Sequence, residues 1–150
     1  MVENRFKMPV TVHIALRREG KYLLALRRSG AISPGAWRMV SGHLDGGETV
    51  CEAAAREIKE ETGIDVLPEN IEVRSVRHST NPEYEHVMFV AMCDKWEGEP
   101  VITEPEVVER YDFFPPDELP ENTATFIKHA VEMVNSDVRF YEDATSASHS

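Results

Sequence analysis

Gly42-His43-Leu44-Asp45-Gly46-Gly47-Glu48, then Thr49-Val50-Cys51-Glu52-Ala53-Ala54-Ala55, then Arg56-Glu57-Ile58-Lys59-Glu60-Glu61-Thr62-Gly63-Ile64, is the stretch that decides how this chain folds. A glycine-punctuated loop runs into a segment of good helix formers. Thr49 and Glu52 have the spacing of a capping box, and Gly63 is a natural C-terminal stop, so the spacing predicts a helix over 49–62. At about 100° per residue, Cys51, Ala54, Ala55, Ile58 and Thr62 fall on one side of that helix. Ala53, Glu57, Glu60 and Glu61 gather on another. The first side is expected to pack on a sheet and the second to face a cleft or water, with Arg56 one turn from Glu60 and able to tie a carboxylate in place.

Three carboxylates at i, i+3 and i+4 repel one another, by about 4 kcal/mol per pair at about 4 Å and an effective dielectric near 20. A bound cation offsets that cost. All the candidate ligands are oxygens, with no Cys or His at metal spacing nearby, which suits Mg²⁺ or Mn²⁺ rather than zinc. Taken alone, the pattern also describes an ordinary solvated acidic helix face, and the wider spacing separates the two readings.

Gly42, five residues, Glu48, seven residues, and then the run from Arg56 to Ile64 resembles the signature of the Nudix hydrolases, with every specified position filled. The resemblance implies an α/β fold, an α/β/α sandwich with a mixed β-sheet between helices. It also implies Mg²⁺-dependent hydrolysis, with Mn²⁺ as the alternative ion, of a nucleoside diphosphate linked to another group. Carried onto this chain, Glu57, Glu60 and Glu61 are the implied metal ligands, the Gly42 carbonyl a further one, and Glu57 the first candidate for general base. Arg56 completes the implied catalytic set by orienting the carboxylates. Glu48 is implied to anchor the loop to the helix, and Ile58 and Ile64 to pack the motif into the core.

Outside that motif, the segment from Glu104 to Phe114, followed by Asp117-Glu118-Leu119-Pro120, resembles MutT-like nucleoside triphosphate pyrophosphohydrolases. In that subgroup an acidic residue reaches the metals from a distal loop. Glu104 matches that position and Glu109 is second. The implied reaction releases a nucleoside monophosphate and pyrophosphate from a (d)NTP; the alternatives are an ADP-ribose or nucleotide-sugar pyrophosphatase, or a non-catalytic ligand sensor of the same fold. Such relatives commonly carry a Trp where Tyr111 or Phe113 stands and Pro-Gly where Val40-Ser41 stands, so base recognition is not carried over. Tyr111 and Phe113 are read as core residues rather than base-stacking ones. An isoprenoid diphosphate isomerase is disfavoured because neither Cys51 nor Cys93 has the expected context.

With 150 residues and 41% hydrophobic content, the chain suffices for one core, expected over 1–140, with 141–150 a polar, disordered tail. A net charge of −11 argues against a DNA or RNA duplex as partner, since backbone binding needs Lys and Arg. A small nucleotide needs only local positive charge, for which Arg27, Arg28 and Arg38, with His43 in the motif loop, are the candidate substrate contacts. The other histidines show no metal spacing and are read as structural or surface, although Tyr84 and His86 are placed to border the cleft. No run is long enough to span a membrane and the first residues lack an apolar signal core, so no membrane partner and a cytoplasmic location are expected. The assembly expected is a monomer or homodimer. Cys51 and Cys93 read as reduced core residues.

Alternation over 10–16 and the apolar run 22–26, joined through Glu19-Gly20, predict a hairpin. Residues 71–76, 87–93 and 111–114 read as further strands, 87–93 being apolar on both faces as a central strand should be. Apolar residues at helical spacing predict a last helix over about 122–135.

Overall fold

The computed structural model describes residues 4–28, 34–81 and 84–143, so most of the expected tail lies outside the described residues. Strand β1 (Val10–Arg18) and strand β2 (Lys21–Arg27) form the expected hairpin. Short strands β3 (Trp37–Arg38) and β4 (Val40–His43) lead into helix α1 (Val50–Thr62). Then come β5 (Glu72–Ser79), β6 (His86–Cys93), β7 (Val108–Phe114), helix α2 (Thr125–Asn135) and β8 (Phe140–Asp143).

The sheet runs β3-β2-β1-β6-β5-β8, with β4 also paired to β1 and β7 to β2. It is mixed: β1 with β6 and β5 with β8 are parallel, while the other pairs are antiparallel. Successive side chains of β1 point to opposite faces. Val12, Ile14 and Leu16 therefore join a core with Ala53, Ala54 and Ile58 of α1. Ala15 joins another with Met88, Val90 and the Ile127, Ala130, Val131 and Val134 face of α2. Helices on both faces explain why β1 and β6 are buried almost throughout, and they make the expected α/β/α sandwich.

The local helix signals act as expected. Thr49 Oγ1 accepts from the Glu52 amide at 3.1 Å while Glu52 accepts from the Thr49 amide at 2.8 Å, a reciprocal cap worth about 1 kcal/mol. Gly63 closes α1 at φ 77°, the left-handed region, and its amide donates to the Lys59 carbonyl. Ile58 is fully buried, and truncating such a side chain to Ala costs about 2–5 kcal/mol.

Three expectations are corrected. Helix α2 begins at Thr125 rather than 122, because the Trp37 amide donates to the Asn122 carbonyl and the Ala124 amide to the Trp37 carbonyl, holding that stretch extended. The strand placed at 111–114 starts at Val108, where it meets Arg27 of β2. Residues 141–143 are not tail but part of β8, which lies parallel to β5 with Ser79 opposite Asp143. The edge of β5 offers unpaired backbone groups, Phe140 and Tyr141 favour strand, and Asp143 pairs with Arg77. Among the described residues no helix is long and apolar enough to cross a membrane.

Candidate active site

Arg56 organises the loop and the helix. Its Nη2 lies 2.7 Å from Glu48 and 3.3 Å from Asp45, and donates to the His43 carbonyl at 3.1 Å. Its Nη1 reaches Glu57 at 2.8 Å and Glu60 at 3.3 Å. A planar guanidinium can serve several carboxylates at once, which a Lys ammonium cannot do in that geometry. The Arg56 contact holds the Glu48 carboxyl down to about 2, helped by the Asp45 amide. Glu48 in turn raises the pKa of Arg56. Glu48 thus closes the 45–48 turn onto the helix, as its place in the motif suggests.

The acidic face of α1 is not uniformly exposed. The Glu57 side chain is 13% exposed and that of Glu60 56%, while Ala53 on the same side is fully buried. Burial, first, raises the pKa of Glu57, with Glu60 adding to it and Arg56 opposing. Burial pushes the Glu61 carboxyl up to about 8, with the charge of Glu57 and a hydrogen bond to it contributing upward and the Ser41 amide downward. That amide donates to Glu61 Oε2 at 3.2 Å. Glycine is required at 42 for closeness, because a Cβ there would fall inside the Glu57 carboxylate.

The loop after β6 comes back to the same helix end. Thr103 Oγ1 donates to the Glu60 and Glu61 carbonyls at 2.7 and 3.1 Å, and the Tyr111 hydroxyl to the Glu61 carbonyl at 2.7 Å. Glu104 is exposed at the head of a turn in which its carbonyl accepts from the Val107 and Val108 amides. Its charge, with that of Glu61 and after burial, raises the pKa of Tyr111, so Glu104 stands on the carboxylate side of the molecule. Glu109 is exposed on β7.

A cleft of about 620 Å³ opens beside β4. Ser41 and Gly42, the two residues that touch Glu61 and Glu57, form part of its wall. Of the arginines singled out, Arg27 and Arg38 line it, as does His43, whose Nε2 lies 2.9 Å from the Tyr84 hydroxyl. Arg28 does not: the residue after Arg27, it points the other way, and its Nε donates to the Pro105 carbonyl at 2.7 Å. Tyr84 and His86 also line the cleft, stacked with centroids 4.7 Å apart.

The model of the NUDIX domain matches residues 7–134. The chain belongs to the Nudix family. It is 30% identical over 97 residues to the NAD-capped RNA hydrolase NudC of Stutzerimonas stutzeri, covering 65% of this chain and 33% of that protein. To the phosphatase NudJ of Escherichia coli K12 it is 42% identical over 65 residues, 43% of this chain and 41% of the relative. The chain thus spans about a third to two-fifths of the length of these curated relatives. Among solved structures, the MutT NUDIX hydrolase of Burkholderia pseudomallei superposes with a TM-score of 0.75 at 28% identity, over 86% of this chain and 99% of that one.

Nudix hydrolases generally need a divalent metal, and the donor chemistry fits one. Two partly buried carboxyls with raised pKa values, a third beside them and a distal Glu make an all-oxygen set that Arg56, with the charge of Arg27 near Glu61, partly neutralises. In the present arrangement Glu57 and Glu60 turn to Arg56 and Glu61 to Ser41, and among the described residues no three His, Cys, Asp or Glu side chains are gathered as a metal cluster. Some residues around the cleft carry no signal in the sequence. His13, read as structural or surface, lines the cleft beside Thr11. Ser41 acts through its backbone amide, for which residue type leaves no signal, and Thr103 through a hydroxyl whose helix-end partners lie far from it in the chain. Tyr111, read as core, packs against the α1-side core and also binds the helix end. Phe113 stacks on Trp96, as a core residue would.

Proposed function

We propose that the chain is a divalent-metal-dependent hydrolase that cuts the diphosphate linkage of a nucleoside diphosphate joined to another group. The observation that carries this reading is the closeness of Gly42 to Glu57: the cleft wall and the acidic helix meet there with no side chain between them. Glu57, Glu60 and Glu61 would hold the metal with the Gly42 carbonyl, and Glu104 is favoured over Glu109 as the distal ligand because its loop is pinned to α1 through Thr103. When bound, Mg²⁺ or Mn²⁺ supplies charge to the phosphate oxygens and makes water a better nucleophile.

The protein's own groups do the rest. Arg56 fixes the rotamers of Glu57 and Glu60. Glu57, half-shielded and with a raised pKa, is suited to accept a proton from attacking water. Arg27 and Arg38 give the cleft positive charge in a chain of net charge −11, with Arg77 there balanced by Asp143, and this draws in phosphate where a long polyanion would be repelled. Within this class we favour a (d)NTP pyrophosphohydrolase acting on cytoplasmic nucleotides.

Incubation with Mg²⁺ and a panel of dNTPs, NTPs, ADP-ribose, nucleotide sugars and dinucleoside polyphosphates tests the reading. Release of pyrophosphate and nucleoside monophosphate from a triphosphate is expected. Turnover of ADP-ribose or nucleotide sugars alone would move the assignment to that alternative, and an inactive panel would favour a ligand sensor. Glu57→Gln should lower kcat by roughly two to four orders of magnitude with the fold intact.

A further inference from the structure

Thr11 and His13 alternate along β1 and so share the sheet face turned toward α2. Both line the cleft, and they are 6% and 5% exposed. Neither Thr11 Oγ1 nor either ring nitrogen of His13 has a hydrogen-bond partner among the described residues. Buried polar atoms are nearly always paired, because leaving one unpaired forfeits its hydration. Three such atoms on two neighbouring side chains of one cleft face call for a ligand.

The chemistry of that ligand follows from the charge state of His13. Burial first, and then the charges of Arg38, His86, Arg77 and His43, together push its imidazole down to about 3. The ring is neutral, so one nitrogen donates and the other accepts, while the Thr11 hydroxyl can do both. An anion would set its charge against the accepting nitrogen. A neutral edge carrying both donors and acceptors satisfies all three atoms. The cover over them is aromatic: Phe126 stands edge-on to His13 with centroids 5.3 Å apart, and the Arg38 guanidinium lies 4.7 Å from the same ring. Phe126 is only partly buried, lies in the first turn of α2 and itself lines the cleft. A planar heterocycle can replace the edge contact with a stacked one.

Building on the nucleotide reading of the same site, we propose that Thr11 and His13 form a base-reading floor, hydrogen-bonding the edge of a nucleobase whose face lies against Phe126. Equilibrium binding of the four common nucleoside 5′-monophosphates, ribose 5-phosphate and inorganic phosphate to the full chain without metal tests it, with the His13 ring ¹⁵N resonances followed by NMR. At least one nucleotide should bind tenfold or more tighter than ribose 5-phosphate and move both ring nitrogens without converting the ring to imidazolium. Thr11→Val should weaken that nucleotide by roughly two- to tenfold, the worth of one neutral hydrogen bond, and leave ribose 5-phosphate unchanged. His13→Phe should abolish the preference among bases, and His13→Gln should restore part of it. Because the Thr11 hydroxyl is unpaired, Thr11→Val should leave the thermal midpoint of the free protein unchanged or raised, which also certifies the fold.

Equal binding of ribose 5-phosphate and nucleotides would overturn the proposal, as would a preference that survives both Thr11→Val and His13→Phe. Inorganic phosphate that protonates His13 would show an anion site instead. Hydrolysis without base preference refutes the floor and leaves the hydrolase standing, whereas base-selective binding without turnover of any linkage does the reverse.

Discussion

Metal affinity should follow the deprotonation of Glu61. Its carboxyl is pushed up to about 8, chiefly by burial, so at neutral pH the metal-free protein carries it mostly protonated. A single group of that pKa is ionised to about 1% at pH 6, about 10% at pH 7 and about 50% at pH 8. A cation that needs the carboxylate must displace the remaining protons, so apparent Mg²⁺ affinity should rise roughly tenfold from pH 6 to 7, another roughly fivefold to pH 8, and then level off. Calorimetric titration in two buffers of different ionisation enthalpy should find about 0.9 proton released per ion at pH 7 and about 0.1 at pH 9. Glu57, also raised and hydrogen-bonded to Glu61, can only steepen the low-pH limb. Glu61→Gln should bind weakly and lose most of the slope. An affinity that changes by less than about twofold between pH 6 and 8, with no proton release, would refute the reasoning.

The same shift affects stability with a definite sign. Because the folded pKa of Glu61 lies above the unfolded value, its contribution is fully present below about pH 4.5 and is lost as pH rises through about 8, on the order of 4 kcal/mol in total. The metal-free thermal midpoint should therefore fall between pH 5 and 9, and saturating Mg²⁺ should suppress the fall; a melt series with and without metal checks both. Glu48 acts oppositely: held near 2, its contribution is present above about pH 4.5 and fades as pH falls through 2. Gly42→Ala should displace the Glu57 carboxylate, cutting turnover by roughly a hundredfold with little loss of stability, because only the tip of a flexible side chain must move, as paired kinetics and denaturant melts would show. Arg56→Ala should lower the denaturant midpoint by releasing Glu48 and Glu57, with Arg56→Lys recovering little of it in the same melts.

What could be read from the residues was what they encode locally. The Thr49–Glu52 cap, the Gly63 stop and the placing of Ile58 opposite Glu60 need only helix periodicity, and all appear as expected. The long-range features were harder. Arg27 lines the cleft while Arg28 reaches the Pro105 carbonyl, and nothing in the run Leu26-Arg27-Arg28 announces which of the two faces the cleft. Strand β8 forms because β5 presents a bare edge, so Glu142 and Asp143, polar residues that look like tail, become ladder members. His13 looked unremarkable for a related reason. Alternation along β1 shows that it opposes Val12 and Ile14, but only the parallel pairing of β6 with β1 and the return of α2 make that face a cleft floor.

The register between β1 and β4 separates the chemistry from the choice of ligand. Ser41 lies opposite His13 and Gly42 opposite Val12. From that ribbon the Ser41 amide reaches Glu61 and Gly42 abuts Glu57, whereas Thr11, His13 and Phe126 border the cleft from the α2 face. Short-range contact between the two regions thus passes through the backbone at 41 and 42, where side-chain identity matters least for the hydrogen bond and most for the space it leaves, while the charges of Arg27 and Arg38 act on Glu61 from the cleft. Side chains at 11, 13 and 126 are then free to vary the fit of a nucleotide without moving a carboxylate. Substitutions there should leave Mg²⁺ affinity of the nucleotide-free protein within about twofold, while Gly42→Ala should change both metal affinity and nucleotide affinity. Loss of Mg²⁺ affinity in His13→Phe, with its fold intact, would show that the two faces are coupled by a route other than this ribbon.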